Sequence, residues 1–413
     1  MKFALSTLII SLLTLLSKAA GFVRDIFLAL FFGASNLADL FFLALKFPII
    51  LGHIFTEESF NASFLPASAA IKSVRHKYQF ARKILLLIII IFLPAILLCE
   101  IFMPEILSIL AAGKKDDPSF DQLVLTSRII FPSIFFVAIS CVFIGLLYEK
   151  NKFTLANLVP ILTSLLIILA VLTHSYIPIV SNIDYVSISV LFASIVQCVL
   201  LIFSAPKKLW QEFFVCKRLY TSISAFFNLY WPLCFSAFVL QLTSVYYLYL
   251  NSYQESAISW IYFAERIYFL PITLIAIPLA TVMIPNISRL ILNDKKASYQ
   301  LQNQALKYLI LCMIPITILM FFSSEHLVRF LFERGEFKPE DTFATSEALK
   351  IFLIGMPAFC LSIILRPYFA ASYKGRTIFY TSFISSLAGV IVAMNLIESM
   401  QYLAVPVGVS FSS

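Results

Sequence analysis

Residues 84–104 read ILLLIIIIFLPAILLCEIFMP, introduced by Arg82 and Lys83 and carrying no charge from Ile84 to Cys99. A helix on a soluble protein shows a polar stripe with each turn. This run has none, and its length matches the roughly 20 apolar residues that cross a bilayer core. The rest of the chain repeats the pattern. Hydrophobic residues make up 61% of the 413, charged residues 13%, and the mean hydropathy is +0.95, against about 45–50% apolar and about 25% charged in soluble domains. Backbone polar groups in lipid must be bonded within their own segment, so the chain is expected to be an all-α polytopic membrane protein.

Apolar runs separated by charged or Pro/Asn/Asp-rich breaks place spans near 3–32, 37–66, 84–104, 122–147, 154–173, 184–204, 221–249, 257–287, 308–323, 342–370 and 377–396, with the start of a twelfth behind them. The first resembles a secretory signal, with Lys2, an apolar run and Ala19-Ala20. Apolar sequence resumes directly after Arg24 and Asp25, so a retained first helix is expected.

The break between spans two and three holds Lys72, Arg75, Lys77, Arg82 and Lys83 with no acid. Alternate loops repeat the bias through Lys150 and Lys152; Lys207, Lys208, Lys217 and Arg218; Arg289, Lys295, Lys296 and Lys307; and Lys374 and Arg376. The other loops mix their cations with Asp116, Asp117, Glu333, Glu336 and Asp341. The positive-inside rule then puts the N-terminus in the cytoplasm. The net charge of +8 is largely a topology signal, and nucleic acid is not an expected partner.

Seven cysteines without C-x-x-C spacing and four scattered histidines indicate neither a disulfide framework nor a metal site. The absence of a G-x-x-x-x-G-K-[ST] loop argues against direct use of ATP, and no cofactor is expected. An intramembrane enzyme would need clustered His or paired acids near the interface, and the sequence has none.

An internal repeat is visible. Phe42, Ala44, Lys46 and Leu65-Pro66 recur about 220 residues later as Tyr262, Ala264, Arg266 and Ile284-Pro285, and Pro132 with Lys150-Asn-Lys152 recurs as Pro357 with Lys374-Gly-Arg376. Two six-span halves in parallel orientation follow, 1–218 and 219–413, around a central cavity. Parallel repeats around a midplane site are an alternating-access design.

Lys18, Arg24, Lys46 and Arg266 fall inside spans, where each cation costs about 2.5–3.5 kcal/mol on insertion scales. They are expected to face a hydrated cavity or an anionic partner. Phosphate or pyrophosphate suits the planar fork of Arg. Lys46 has a second reading, snorkelling to the interface. Asp25 and Glu265 adjoin an Arg in sequence, but helix neighbours one apart do not face each other. Asp39 follows Asn36 at capping spacing and is expected to cap its own helix. Lys18 and Arg24 lie six apart, roughly 240° around a straight helix, so a hinge at Gly21 is needed to bring both to one cavity. Arg128 and Arg366, beside Pro132 and Pro367, read as structural.

Ser17-Lys-Ala-Ala-Gly21-Phe-Val-Arg24-Asp25, Phe32-Gly33-Ala34, Ala38-Asp39-Leu-Phe-Phe42, Lys46-Phe-Pro48 and Ile54-Phe55-x-Glu57-x-x-Phe60-x-x-x-Phe64-x-Pro66 together resemble the N-terminal signature of the MurJ/MviN family of lipid II flippases. Ser259-Trp-Ile-Tyr262-x-Ala264-Glu265-Arg266 and Leu331-Phe-x-Arg334-Gly335-x-Phe337-x-Pro339-Glu-Asp-Thr342 continue the likeness. The resemblance implies two six-helix lobes around a cationic cavity, within the multidrug/oligosaccharidyl-lipid/polysaccharide exporter superfamily. It implies lipid II as substrate, its pyrophosphate held by Lys18, Arg24 and Arg266 with Lys46, and Asp25, Asp39 and Glu57 as acidic partners. A monovalent ion could serve as coupling species. Other expected partners are membrane lipids, and the expected location is the bacterial inner membrane.

Departures accompany the likeness. Gly52-His53 stands where the family has an Arg pair, and Lys18 where it has Arg. Family members have about fourteen spans, whereas this sequence stops at Ser413 about twelve residues, or ~18 Å, into span twelve. The second lobe is then incomplete as given, through a fragment or a truncated gene. Another exporter of the superfamily, or an inactive remnant, is the alternative.

Overall fold

The computed structural model describes residues 2–150, 152–174, 181–205, 209, 220–371 and 375–413, with the side chains of 2–11, Phe153, Tyr220, Thr221, Pro367, 370–371 and a few others outside that description. Lys207, Lys208, Lys217, Arg218 and Lys374 of the expected cytoplasmic loops also lie outside it. Helix α1 spans Lys2–Phe32, α2 Asn36–Phe55, α3 Glu57–Ala69, α4 Val74–Ile101, α5 Met103–Leu110, α6 Phe120–Ile130, α7 Ser133–Glu149, α8 Phe153–Thr173 and α9 Asn182–Ser204. Then come α10 Tyr220–Asn251, α11 Ala257–Pro271, a π-helical turn Ile272–Ala276, α12 Ile277–Asn293, α13 Lys295–Phe322, α14 Ser324–Phe332, α15 Pro339–Ala371, α16 Gly375–Met400 and α17 Ala404–Phe411.

Ten runs among the described residues are long and apolar enough to cross a membrane, from Asn36–Ala69 to Thr377–Phe411. They coincide with the second to eleventh expected spans, and α1 is the first. The element order recurs about 220 residues on. Helix α1 returns as α10, α2 and α3 as α11 and α12, α4 as α13, short α5 as α14, α6 and α7 as α15, α8 as α16, and α9 as α17.

Several boundaries differ from expectation. Helices α4 and α13 begin at Val74 and Lys295, not near 84 and 308. Arg75, Lys77, Arg82, Lys83, Lys295, Lys296 and Lys307 therefore ride on helices, not in loops. At 28 residues each, or about 42 Å, these helices outrun a ~30 Å core, and hydropathy alone cannot see their polar ends. Span two is interrupted at Thr56, whose hydroxyl donates back to the Gly52 carbonyl at 2.8 Å, a bond that bends helices. Its counterpart, span eight, carries the π-turn Ile272–Ala276 behind Pro271. Span four breaks at Phe131-Pro132.

By contact the chain divides into two compact units, residues 1–28 with 40–245, and 29–39 with 246–413. Sequence order would have cut at 218. Residues 220–245 go with the first unit because Phe226 lies 5.6 Å from Phe60 and Tyr230 stacks on Phe226 at 5.0 Å. Phe60, Phe64 and Phe80 continue this core. Among lipid tails, burying a ring adds no hydrophobic term, so the gain is dispersion plus about 0.5–1.5 kcal/mol per well-oriented aromatic pair. Gly145 makes room for the core, since a Cβ there would lie 2.7 Å from the Phe64 ring.

Alternation of spans shows within each unit. In the first, Glu149 at the end of α7 accepts from Ser68 at the end of α3 at 2.8 Å and pairs with Lys77 at the start of α4. At the opposite ends, Arg128 of α6 donates to the Glu100 carbonyl of α4 at 3.3 Å, a structural bond as expected, and Gln122 reaches Asp184 of α9 at 2.9 Å. In the second, Trp260 donates to Asp341 at 3.0 Å at one end and Gln302 to the Ile364 carbonyl at 3.0 Å at the other. After Met400 the chain reverses at Gln401 (φ 52°), and α17 packs so closely on α16 that a Cβ on Gly389 would sit 2.5 Å from the Gly408 oxygen.

Candidate functional site

Helix α1 presents Lys18, exposed, and Arg24, half-buried. It runs unbroken through Gly21, so the break that would swing Lys18 and Arg24 toward one side is not present in this conformation. A Cβ on Gly21 would meet nothing within 4 Å.

Arg24 and Asp25, expected to point apart, are paired. Arg24 Nη2 and Nε lie 2.8 and 3.0 Å from Asp25 Oδ1, and the carboxylate is buried. The spacing rule fails because it concerns Cβ directions, and a side chain as long as Arg folds back across the backbone to its neighbour. The pair neutralises a charge inside the membrane and commits two of the five guanidinium N–H groups, which fixes the fork's orientation.

Asp39 departs further from expectation. It is fully buried, and its Oδ1 accepts from the backbone N–H of Ser259 at 2.8 Å and from the Ser259 hydroxyl at 2.6 Å. Ser259 lies in the first turn of α11. Asp39 therefore caps α11 across a long sequence separation, placing negative charge at the positive end of the α11 dipole. The start of α2 is served by Ser35, whose Oγ accepts from the Ala38 N–H at 3.3 Å. Sequence spacing missed this because the capped helix lies 220 residues away.

Arg266, half-buried on α11, holds its guanidinium 4.3 Å from the Tyr262 ring centroid. The i, i+4 spacing stacks the two on one face, and a desolvated cation–π contact is worth about 2 kcal/mol. That offsets much of the insertion cost while leaving the charge in place. Lys46 is half-buried on α2, beside buried Pro48. Glu57 opens α3 next to the interruption at Thr56, and its side chain lies outside the described residues. Lys18, Arg24, Asp25, Lys46 and Glu57 belong to the first unit, Asp39 and Arg266 to the second.

Two motifs of the resemblance meet in the second unit. Gly33 and Gly335 both have positive φ, 60° and 62°, and a Cβ on either would fall 2.3–2.4 Å from a carbonyl oxygen, of Glu336 or Leu30 respectively. The Leu30 carbonyl accepts from the Glu336 N–H at 3.1 Å. Phe263 packs on Phe332 and Phe337 at 5.0 and 5.5 Å behind this turn. The Arg-Gly-x-Phe motif therefore has a packing role in joining the end of α1 to α14.

Charged side chains carried inside a twice-repeated set of spans define a polytopic α-helical transporter. A family model described as the lipid II flippase MurJ matches residues 28–413, and the chain belongs to the MurJ family. It is 29% identical to a probable lipid II flippase MurJ of Rickettsia prowazekii (strain Madrid E), over 99% of this chain and 81% of that protein. It is 31% identical to one of Aquifex aeolicus (strain VF5), over 93% and 76%. A solved structure of lipid II flippase MurJ in an inward closed conformation superposes with TM-score 0.86 at 26% identity, covering 98% of this chain and 85% of that one. An inward-facing multidrug resistance MATE family transporter of the MOP superfamily shares the fold, with TM-score 0.75 at 13% identity.

Proposed function

We propose that this protein moves lipid II, the lipid-linked peptidoglycan precursor, from the inner to the outer leaflet of the bacterial inner membrane by alternating access, with its N-terminus in the cytoplasm. Membership of the MurJ family supplies the substrate class. The observation that carries the reading in this chain is the set of cations held inside spans, with Arg24 oriented by Asp25 and Arg266 stacked on Tyr262. Their role is to bind the pyrophosphate, Lys18 and Lys46 adding charge without the bidentate fork. Transport needs no covalent chemistry. An ion gradient or the membrane potential drives it, one charge across 100 mV being worth about 2.3 kcal/mol.

The test is rescue of a bacterium depleted of its own flippase, read as growth and as periplasmic exposure of lipid II. The native chain is expected to restore both and Arg266→Ala neither, with equal membrane levels of the two proteins. Rescue by both would remove Arg266 from the site, and failure of both would remove the flippase reading.

A further inference from the structure

Where the ends of α7 and α9 meet the turn into α8, all within the first unit, lies a cavity of about 110 Å³. Its floor is made by Phe143, Leu146 and Leu147, all buried. Its rim carries Lys150, Lys152 and Ser204, with no acid in the lining. The turn that bears the lysines is fixed, because the Leu147 carbonyl accepts from the N–H of Lys150 at 3.1 Å and from that of Lys152 at 2.9 Å. Both side chains therefore spring from one point of the rim. Lys150 is further held 5.2 Å over the Tyr78 ring. The neighbouring carboxylate, Glu149, is engaged by Lys77 and Ser68, and neither rim lysine has an acidic partner among the described residues. Ser204 gives its proton to the Leu201 carbonyl at 2.6 Å, so the two ammonium groups are the donors the cavity offers.

Size, charge and polarity together select the occupant. A cavity of ~150 Å³ takes one benzene ring. This one is smaller, so a disaccharide or a peptide is excluded, and with them the headgroup of the transported lipid. A phosphate group with its adjoining carbons fits. Two ammonium groups without a carboxylate favour an anion, and they leave the ammonium of a zwitterionic headgroup unmatched. The apolar floor discriminates further. A free inorganic anion would lose hydration against Phe143 and the leucines and gain no partner there, whereas glycerol carbons and the first methylenes of an acyl chain gain contacts. The cavity also lies at the helix ends that hold the unbalanced cations, where basic pockets between spans meet anionic headgroups. We propose that it binds the headgroup phosphate of an anionic glycerophospholipid, Lys150 and Lys152 holding the phosphate and Phe143 and Leu147 the glycerol end. Such a site does not depend on what the protein transports, since both lysines flank spans and neither belongs to the cations held within them.

The test is native mass spectrometry of the full chain, titrated in detergent with phosphatidylglycerol, phosphatidylethanolamine or inorganic phosphate. The first phosphatidylglycerol adduct is expected at lower concentration than any phosphatidylethanolamine adduct, and a large excess of inorganic phosphate should not displace it. Lys150→Gln with Lys152→Gln is expected to weaken that adduct about thirtyfold, or ~2 kcal/mol. Lys150→Arg with Lys152→Arg keeps the charge and should retain it. Lys295→Gln with Lys296→Gln removes the same charge from the exposed start of α13 and should leave the adduct unchanged. Equal loss in the two Gln pairs would mean diffuse attraction to a basic surface. Displacement by inorganic phosphate would mean a free-anion site, and equal binding of phosphatidylethanolamine a lipid contact without charge selection. Each of these results would overturn the proposal. All are read from lipid binding alone, so they leave the Arg266 rescue test untouched.

Discussion

Asp39 shows how a single carboxylate can be stable among apolar helices. Full burial of an ion is costly unless hydrogen bonds and charge offset it, and here a backbone N–H, a hydroxyl and a helix dipole all act on Oδ1. Asp39→Ala is expected to lower stability by about 2–3 kcal/mol, since bonds to a charged group are worth about 1.5–3. Ser259→Ala should cost less, because its backbone N–H still reaches the carboxylate. A double-mutant cycle on thermal melts of the purified protein reads the coupling. A coupling near zero would mean that the hydroxyl adds nothing to the cap. A second carboxylate, Asp117, lies in the turn between α5 and α6, where bonds from the Ser119 hydroxyl and N–H, 2.6 and 2.8 Å, hold its pKa below the usual carboxylate value. A depressed pKa stabilises the fold at pH above the unfolded value of about 3.9, and that contribution is lost as pH falls through the folded one. Pepsin cleavage of this turn is expected to rise below about pH 4. In Ser119→Ala the turn should be looser at neutral pH and its cleavage less dependent on acid.

At the scale of elements, one interruption recurs with the repeat, while the break of span four at Phe131-Pro132 has no counterpart in the continuous α15. Span two breaks at Thr56 and span eight passes through the π-turn Ile272–Ala276 at the matching place. Discontinuous helices and π-turns gather at functional sites in transporters. Spans, their order and the repeat were legible in the sequence because hydropathy and spacing are local. The Arg24–Asp25 pair was hidden because side-chain reach is not a spacing, and the cap by Asp39 because it is a long-range contact. The helical polar ends of α4 and α13 were hidden because they look like loop. With space around it, Gly21→Ala should fit without strain and stabilise α1 by about 1 kcal/mol. If bending at Gly21 serves the transport cycle, the variant melts higher yet exposes less lipid II in the periplasm. A higher melting temperature with full transport would remove the hinge.

For the whole molecule, orientation follows from which ends carry the cations. In the first unit, Lys77, Glu149 and Ser68 gather at one set of helix ends, with Lys150 5.2 Å over the Tyr78 ring. Glu100, Arg128, Gln122 and Asp184 gather at the other. The first set holds the unbalanced Lys and Arg residues, and the positive-inside rule assigns such ends to the cytoplasm because cationic segments resist translocation. Under the proposed orientation, the turn with Lys115 and Asp117, sitting at the opposite ends, would face the periplasm. In a cysteine-free background, Lys115→Cys is expected to react with a membrane-impermeant maleimide in intact spheroplasts, whereas Lys72→Cys should react only after the membrane is opened. The reverse pattern would invert the protein in the bilayer.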